Sequence, residues 1–327
     1  MSGLKRIACL GALLLTLAPA ALAEDGDVYA MVDLSGQPVM SMAGRIWEGD
    51  EYISSDNRLW VVVGVDDEAR RATAQCLGEE PECDAVLARA VFAQAGRKAG
   101  EKLVALYSTH SDESYVKGDG AASREGRGGI YDVDRALKEA LEKLGIRVEL
   151  DATTHLPHDA KAYSRSRRTA ESLMKMRPDA LLDIHRDGIP DESEYETQVD
   201  GRDTSRVRLL VGRSNPDSAA NREFAKALKA AADEKYKGLI KDIFIGRGDY
   251  NQAVSPRSLL LEFGTHTLDK DRAIDATKYM ADVLNTVLYG GSAKAEDADG
   301  ASTGAAGGAL WLVVTAALAG LISVLLS

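Results

Sequence analysis

Cysteine is scarce: 327 residues hold three, Cys9, Cys76 and Cys83. Cys76 and Cys83 flank the segment LGEEPE, and no second pair exists to complete a four-cysteine zinc site. In an exported chain that pair is expected to close a disulfide, with two free thiols as the alternative. The HExxH signature is also missing, which removes one common route to a zinc peptidase. No internal repeat is visible. Positive charge is in deficit, 40 Lys and Arg against 51 Asp and Glu for a formal net charge of -11. That balance argues against nucleic acid or an anionic lipid surface as the main partner.

Both ends of the chain are apolar. Lys5 and Arg6, the stretch from Ile7 to Leu17, and Ala21-Leu22-Ala23 before Glu24 follow the order of a secretory signal peptide, residues 1–23. An uncleaved anchor is the alternative, but the stretch is short for a hydrocarbon core of ~30 Å. The other end, GGALWLVVTAALAGLISVLLS, carries no charge from Gly307 to Ser327 and is long enough to cross a bilayer. Residues 308–327 are therefore expected to be a transmembrane anchor behind a flexible linker, residues 291–307. Together the ends predict an exported protein held at the cell membrane, with its bulk on the extracytoplasmic side.

Between the ends the pattern changes once. Residues 24–80 show short apolar stretches separated by Ser-Gly, Gly-Asp and Asp-Asn turn signals and read as a small β-rich module, with Trp60 to Val63 its clearest strand. A connector, residues 81–96, leads into residues 97–290, where strands and helices alternate. KLVALYST reads as a strand, Ile130, Val133, Leu137, Leu141 and Leu144 as one helix face ended by Gly145, and IRVEL as the next strand. A helix from about Ala160 to Met176, the strand ALLDI, a polar excursion to about Ser205, VRLLVG, a helix from about Ser218 to Glu234, SLLLEF and a last helix through Ile274 and Leu288 complete the series. The alternation predicts an α/β fold with a mostly parallel sheet and helices on both faces.

Three strands end in comparable polar residues: His110 after LVALYST, His185 after ALLDI, and Glu262 after SLLL. In open α/β sheets the site lies beyond the carboxyl ends of the strands, so these residues should converge. Two histidines and one carboxylate satisfy a catalytic zinc, which keeps one position open. Glu113 is the first choice for the carboxylate, and Asp112 and Glu125 are alternatives. A single strand-end histidine is more often a hydrogen-bonded loop residue than a ligand, and the pairing of two such positions is what raises the metal reading. Asp183 and Asp187 flank His185, and either could orient its ring. Arg186 is the candidate for substrate carboxylates, whereas Arg165, Arg167 and Arg168 read as a solvated helix face. His155 and His158 read as structural, with a place in the cleft as the alternative. His266 is a candidate for binding transition-state charge.

The segments STHSDESY, HLPHDAKAYSRSRRTAESL, DIHRDGIP and GDYNQAVSPRSLLLEFGTH, in this order over roughly residues 97–290, resemble the stage II sporulation protein P family of cell-wall hydrolases. GDEYISSDN in the β-rich module is similar to a segment of some members. The resemblance implies a fold related to zinc-dependent N-acetylmuramoyl-L-alanine amidases and cleavage of peptidoglycan between the lactyl group of muramic acid and L-alanine. It also implies a second activity on peptide cross-links and association with other sporulation cell-wall proteins. In the wider amidase group two histidines and a glutamate bind Zn2+ and a late glutamate assists catalysis; His110, His185 and Glu262 match. That group takes its ligand glutamate from the start of the helix after the first strand, near Glu125, whereas Glu113 belongs to the ESY segment typical of the sporulation family. In the mechanism this implies, Glu262 takes a proton from water and delivers it to the departing amine. A non-catalytic peptidoglycan-binding scaffold tethered to the membrane and a zinc peptidase acting on an extracellular protein are the competing readings.

Overall fold

The protein is described by a computed structural model covering residues 27–80, 101–159 and 161–291. Five strands come from the N-terminal segment: β1 (Val28–Val32), β2 (Pro38–Ala43), β3 (Glu51–Ile53), β4 (Arg58–Asp66) and β5 (Arg71–Glu79). After them come β6 (Leu103–Tyr107), α1 (Ile130–Lys143), β7 (Arg147–Asp151), α2 (Ala162–Met174) and β8 (Ala180–Asp187). A small ribbon of β9 (Glu196–Val199) and β10 (Arg202–Ser205) precedes β11 (Val207–Gly212), α3 (Ser218–Lys235), β12 (Ile240–Gly246), β13 (Ser258–Thr265) and α4 (Lys270–Tyr289).

Eleven strands join in one sheet, in the order β2-β1-β5-β4-β3-β12-β11-β13-β8-β6-β7. The N-terminal strands are continuous with the rest because β3 pairs with β12, Ile53 opposite Ile243 and Glu51 opposite Ile245. Strands β8, β11, β12 and β13 are buried along their whole lengths, as expected of strands covered on both faces. One face carries Leu182, Ile184, Leu209, Ile243 and Leu261 against α1, α3 and α4, which contribute Val133, Leu137, Phe224 and Leu284. The opposite face carries Leu210, Phe244 and Leu260 against Met31, Met42, Tyr52 and Val62 of the N-terminal strands. Cutting a fully buried leucine such as Leu261 to alanine should cost about 2–5 kcal/mol. α1 forms where the sequence periodicity places it: Ile130, Val133, Leu137 and Leu141 are buried at helical spacing, and Gly145 leaves the helix at φ 74°.

The sheet is mixed, not mostly parallel. Counting the β9–β10 ribbon, six strand pairs are antiparallel and five parallel among the described residues. Helical crossovers preserve strand direction, and two connections lack one. From β8 the chain reaches β11 through the β9–β10 ribbon, and from β12 it reaches β13 through a short 3-10 turn, Gln252–Val254. β11 therefore runs antiparallel to β13, while β13 is again parallel to β8. Strand β12 was not anticipated from the sequence at all. Among the described residues no helix is long and apolar enough to cross a membrane. The segments read as signal peptide, connector and anchor, the linker beyond Gly291, and Cys83 lie outside the described residues.

Candidate metal centre

β6 delivers its chain end into a tight loop, residues 108–115, that carries His110 and Glu113. The amide of Ile130 at the start of α1 donates to the Glu113 carbonyl at 3.0 Å, and the Gly128 amide to that of Ser111 at 2.9 Å. A Cβ on Gly128 would sit 2.1 Å from the Glu113 carbonyl oxygen, so only glycine permits this approach. β8 supplies His185 from within the strand. Glu113 Oε1 lies 3.1 Å from His110 Nδ1 and 3.2 Å from His185 Nδ1. One donor atom each from His110, Glu113 and His185 falls within 4.8 Å of the others.

The surroundings hold these donors in place. Asp183 Oδ1 stands 2.9 Å from His185 Nε2 and accepts from the Thr109 amide, while Asp183 Oδ2 accepts from the Thr109 hydroxyl. That contact occupies the far nitrogen of the ring and leaves Nδ1 facing the cluster. Glu113 Oε2 accepts from the Arg186 amide at 2.9 Å. Burial works to raise the pKa of Glu113, but His185, His110 and Arg186 outweigh it and hold the carboxyl well below its usual range. On His185 burial opposes charge, and Asp183 and Glu113 overcome it, pushing its pKa well up. Burial lowers His110, which favours the neutral ring a metal requires. The carboxylates of Glu113 and Asp183 around two imidazoles make a buried pocket for positive charge.

The other side of the same cleft is built differently. Register places Glu262 of β13 directly beside His185 of β8, so both side chains leave the sheet on one face. Burial first, then Asp187, pushes the Glu262 carboxyl up to about 8, against the opposing pull of Arg208 and Tyr195. Arg208 is fully buried on β11, donates to both oxygens of Asp242 at 2.8 and 3.0 Å, and reaches Asp187 at 2.9 Å. His110, His185, Glu113 and Glu262 line one cleft of roughly 650 Å³, whose wall includes Met42, Ala43 and Gly44 from the N-terminal strands.

The remaining candidates fall elsewhere or take other partners. Asp112 accepts from Ser123 Oγ at 2.6 Å and pairs with His158 Nδ1 at 3.1 Å, away from the three-donor cluster. Glu125 is exposed. Asp187 bonds to Arg208 and Tyr195 and does not contact the His185 ring. Arg186 lines the cleft, but its guanidinium donates to the carbonyls of Ser114 and Ala122, so the group expected to meet substrate is engaged in clamping the loop. His155 is buried between the Ser108 carbonyl and Thr169, a structural placement. His158 lines the cleft, stacked on His110 at 4.0 Å. His266 is half-buried, outside the cleft lining. Arg165 caps backbone carbonyls, Arg167 pairs with Glu171, and Arg168 is exposed. Sequence reading missed Tyr163, which lines the cleft, and the buried Tyr195 and Arg208. A lone arginine inside the apolar strand VRLLVG was a usable signal, because a buried charge demands partners.

The donor set, two imidazoles with one ionised carboxylate in a region that stabilises positive charge, fits a divalent zinc ion. Fold and site thus define a class: α/β proteins with a three-donor cluster and a buried glutamate side by side in one cleft on one face of the sheet. Residues 64–285 match the family described as Stage II sporulation protein P (SpoIIP), and the chain belongs to that family. A curated relative, the stage II sporulation protein P of Bacillus subtilis (strain 168), is 29% identical over 211 residues, 58% of this chain and 52% of that protein. The chain thus spans about half the length of that relative.

Solved structures that superpose in part include the N-acetylmuramoyl-L-alanine amidase AmiC2 of Nostoc punctiforme (16% identity, TM-score 0.34, 58% of this chain and 96% of that one). An N-acetylmuramoyl-L-alanine amidase of Clostridium difficile 630 gives 15% identity and a TM-score of 0.38 over 59% and 97% of the two chains. The CwlD amidase of Clostridioides difficile, solved in complex with the GerS lipoprotein, gives 14% and 0.38 over 58% and 96%. At this level of superposition the likeness decides nothing about activity.

Proposed function

We propose that the chain is an exported, zinc-dependent N-acetylmuramoyl-L-alanine amidase of sporulation, hydrolysing the amide between the muramic acid lactyl group and L-alanine in peptidoglycan. The observation that carries this reading is the meeting of His110, Glu113 and His185 within 4.8 Å, in the cleft that also holds Glu262. Family membership supplies the substrate class, and the reading of residues 1–23 as a secretory signal supplies the compartment.

His110, Glu113 and His185 would hold the ion, which when bound polarises the scissile carbonyl and acidifies a water. Glu262 carries the proton. Its pKa of about 8 belongs to the cleft without a cation; positive charge held by His110, Glu113 and His185 would lower it, so that the carboxylate accepts a proton from water and hands it to the departing amine nitrogen, which leaves as a neutral amine. Met42, Leu210 and Leu260 line the cleft and limit water around Glu262. Asp183 fixes the His185 ring, and Arg186 fixes the loop that presents Glu113.

Mass spectrometry of products from defined muropeptides tests the reading. Free L-alanine amino termini that disappear with a chelator and return with zinc are the expected result. Binding of peptidoglycan without cleavage, with or without zinc, would favour the scaffold reading, and products cut only at cross-links would replace the amidase by an endopeptidase.

A further inference from the structure

Glu262 has, among the described residues, one hydrogen-bond donor to its carboxylate: the Tyr195 hydroxyl, 3.0 Å from Oε2. Arg208 Nη1 is farther, at 3.8 Å. The phenol itself cannot wander. Tyr195 is fully buried, its ring packed with Ile189 and Leu268 and against the half-buried Val28 of β1. Its oxygen also lies 2.8 Å from Asp187 Oδ2, and because the phenol carries one hydrogen it donates to one carboxylate at a time, a proton on Glu262 supplying the second bond when it turns to Asp187. Asp187 is in turn held by Arg208 at 2.9 Å and by the amides of Gly188 at 2.7 Å and Ala43 at 3.2 Å. Arg208 completes the chain by donating to the Ser41 carbonyl at 3.1 Å. An unbroken line of buried polar contacts therefore runs from the edge strand β2 to Glu262.

We propose that Tyr195 is the positioning residue for Glu262, fixing one carboxylate oxygen so that the other serves the cleft, and that Asp187 and Arg208 form the strut that anchors it to β2. This rests on the reading of Glu262 as the proton carrier. It assigns the β9–β10 insertion and the N-terminal strands a part in the chemistry, since Tyr195 precedes β9 and Ser41 and Ala43 lie on β2. A donor held this rigidly costs no reorganisation during reaction, the condition under which a hydrogen bond is worth most in an enclosed site.

The test uses the zinc-loaded full chain. Tyr195→Phe keeps the ring and removes only the hydroxyl; the expected result is a kcat at least tenfold lower, with KM and bound zinc unchanged within twofold. The infrared band of the Glu262 carboxyl, identified by its loss in Glu262→Gln, should shift in Tyr195→Phe. Asp187→Asn, which preserves the shape of the strut, should lower kcat in the same direction by less. Retention of kcat in Tyr195→Phe, or an unmoved Glu262 band, overturns the proposal. If the wild type turns over no muropeptide, the amidase reading fails by itself, while the infrared comparison still decides whether Tyr195 holds Glu262.

Discussion

The two walls of the cleft bury carboxylates to opposite effect. On the wall formed by β6 and β8, Glu113 faces two imidazoles and Arg186, which hold its pKa well down; on the wall formed by β11 and β13, Glu262 faces Asp187, and its pKa is pushed up to about 8. Both are buried. Burial alone would raise both, so the divergence comes from neighbours: cationic partners for one, a second carboxylate for the other. Two carboxyls with separated proton affinities can divide the work between ion holding and proton transfer.

The largest expected effect exchanges the walls' failures. Glu262→Gln should lower hydrolysis by about 10²–10⁴-fold while zinc stays bound, whereas Glu113→Gln should lose zinc and activity together; muropeptide assays paired with metal analysis of the same preparations check this. Retained zinc in Glu113→Gln would dissolve the distinction. Next comes Arg208→Met, which leaves Asp187 buried without its cation and Asp242 with Lys241 alone, and should cost about 3–5 kcal/mol in denaturant unfolding. That loss should be the same with and without zinc, whereas His185→Ala should cost more stability in the zinc-loaded protein than in the zinc-free one.

A smaller effect concerns Asp134, buried on α1 with Ser108 as its hydrogen-bond donor and pushed up to about 8 by burial. The folded protein keeps this proton to about pH 8, while the unfolded chain releases it near pH 4. Its contribution to stability is therefore greatest below about pH 4 and falls as pH rises toward 8. Asp134→Asn should flatten that slope and add about 2 kcal/mol at pH 7, read from unfolding at several pH values. Smallest of all, Arg45→Ala breaks an exposed pair with Asp67 and should leave the unfolding midpoint within error of the wild type.

Much of the wall carrying His110 and His185 was legible because it is built from local patterns. Leu103–Tyr107 and Ala180–Asp187 are apolar runs ending in polar residues, and α1 declares itself by its spacing. The other wall depends on what the chain does between elements. IKDIFIG, which became β12, holds a Lys-Asp pair that interrupts its apolar run; both are buried only because Arg208 and Glu194 neutralise them. Strand direction was misjudged at the two connections that lack a helix, and no periodicity reports that. Tyr195 sits in a polar stretch where nothing local separates it from a surface tyrosine. Its place is set by Ile189 and Leu268, the latter more than seventy residues away in sequence.

The pairing of β3 with β12 also governs how this protein can be divided. Excising everything ahead of β6 would strip the partner from Ile243 and Ile245 and uncover the face formed by Leu210, Phe244 and Leu260. A bare strand flank beside an oily surface is a template for adding strands from other molecules, so the shortened chain should precipitate or self-assemble.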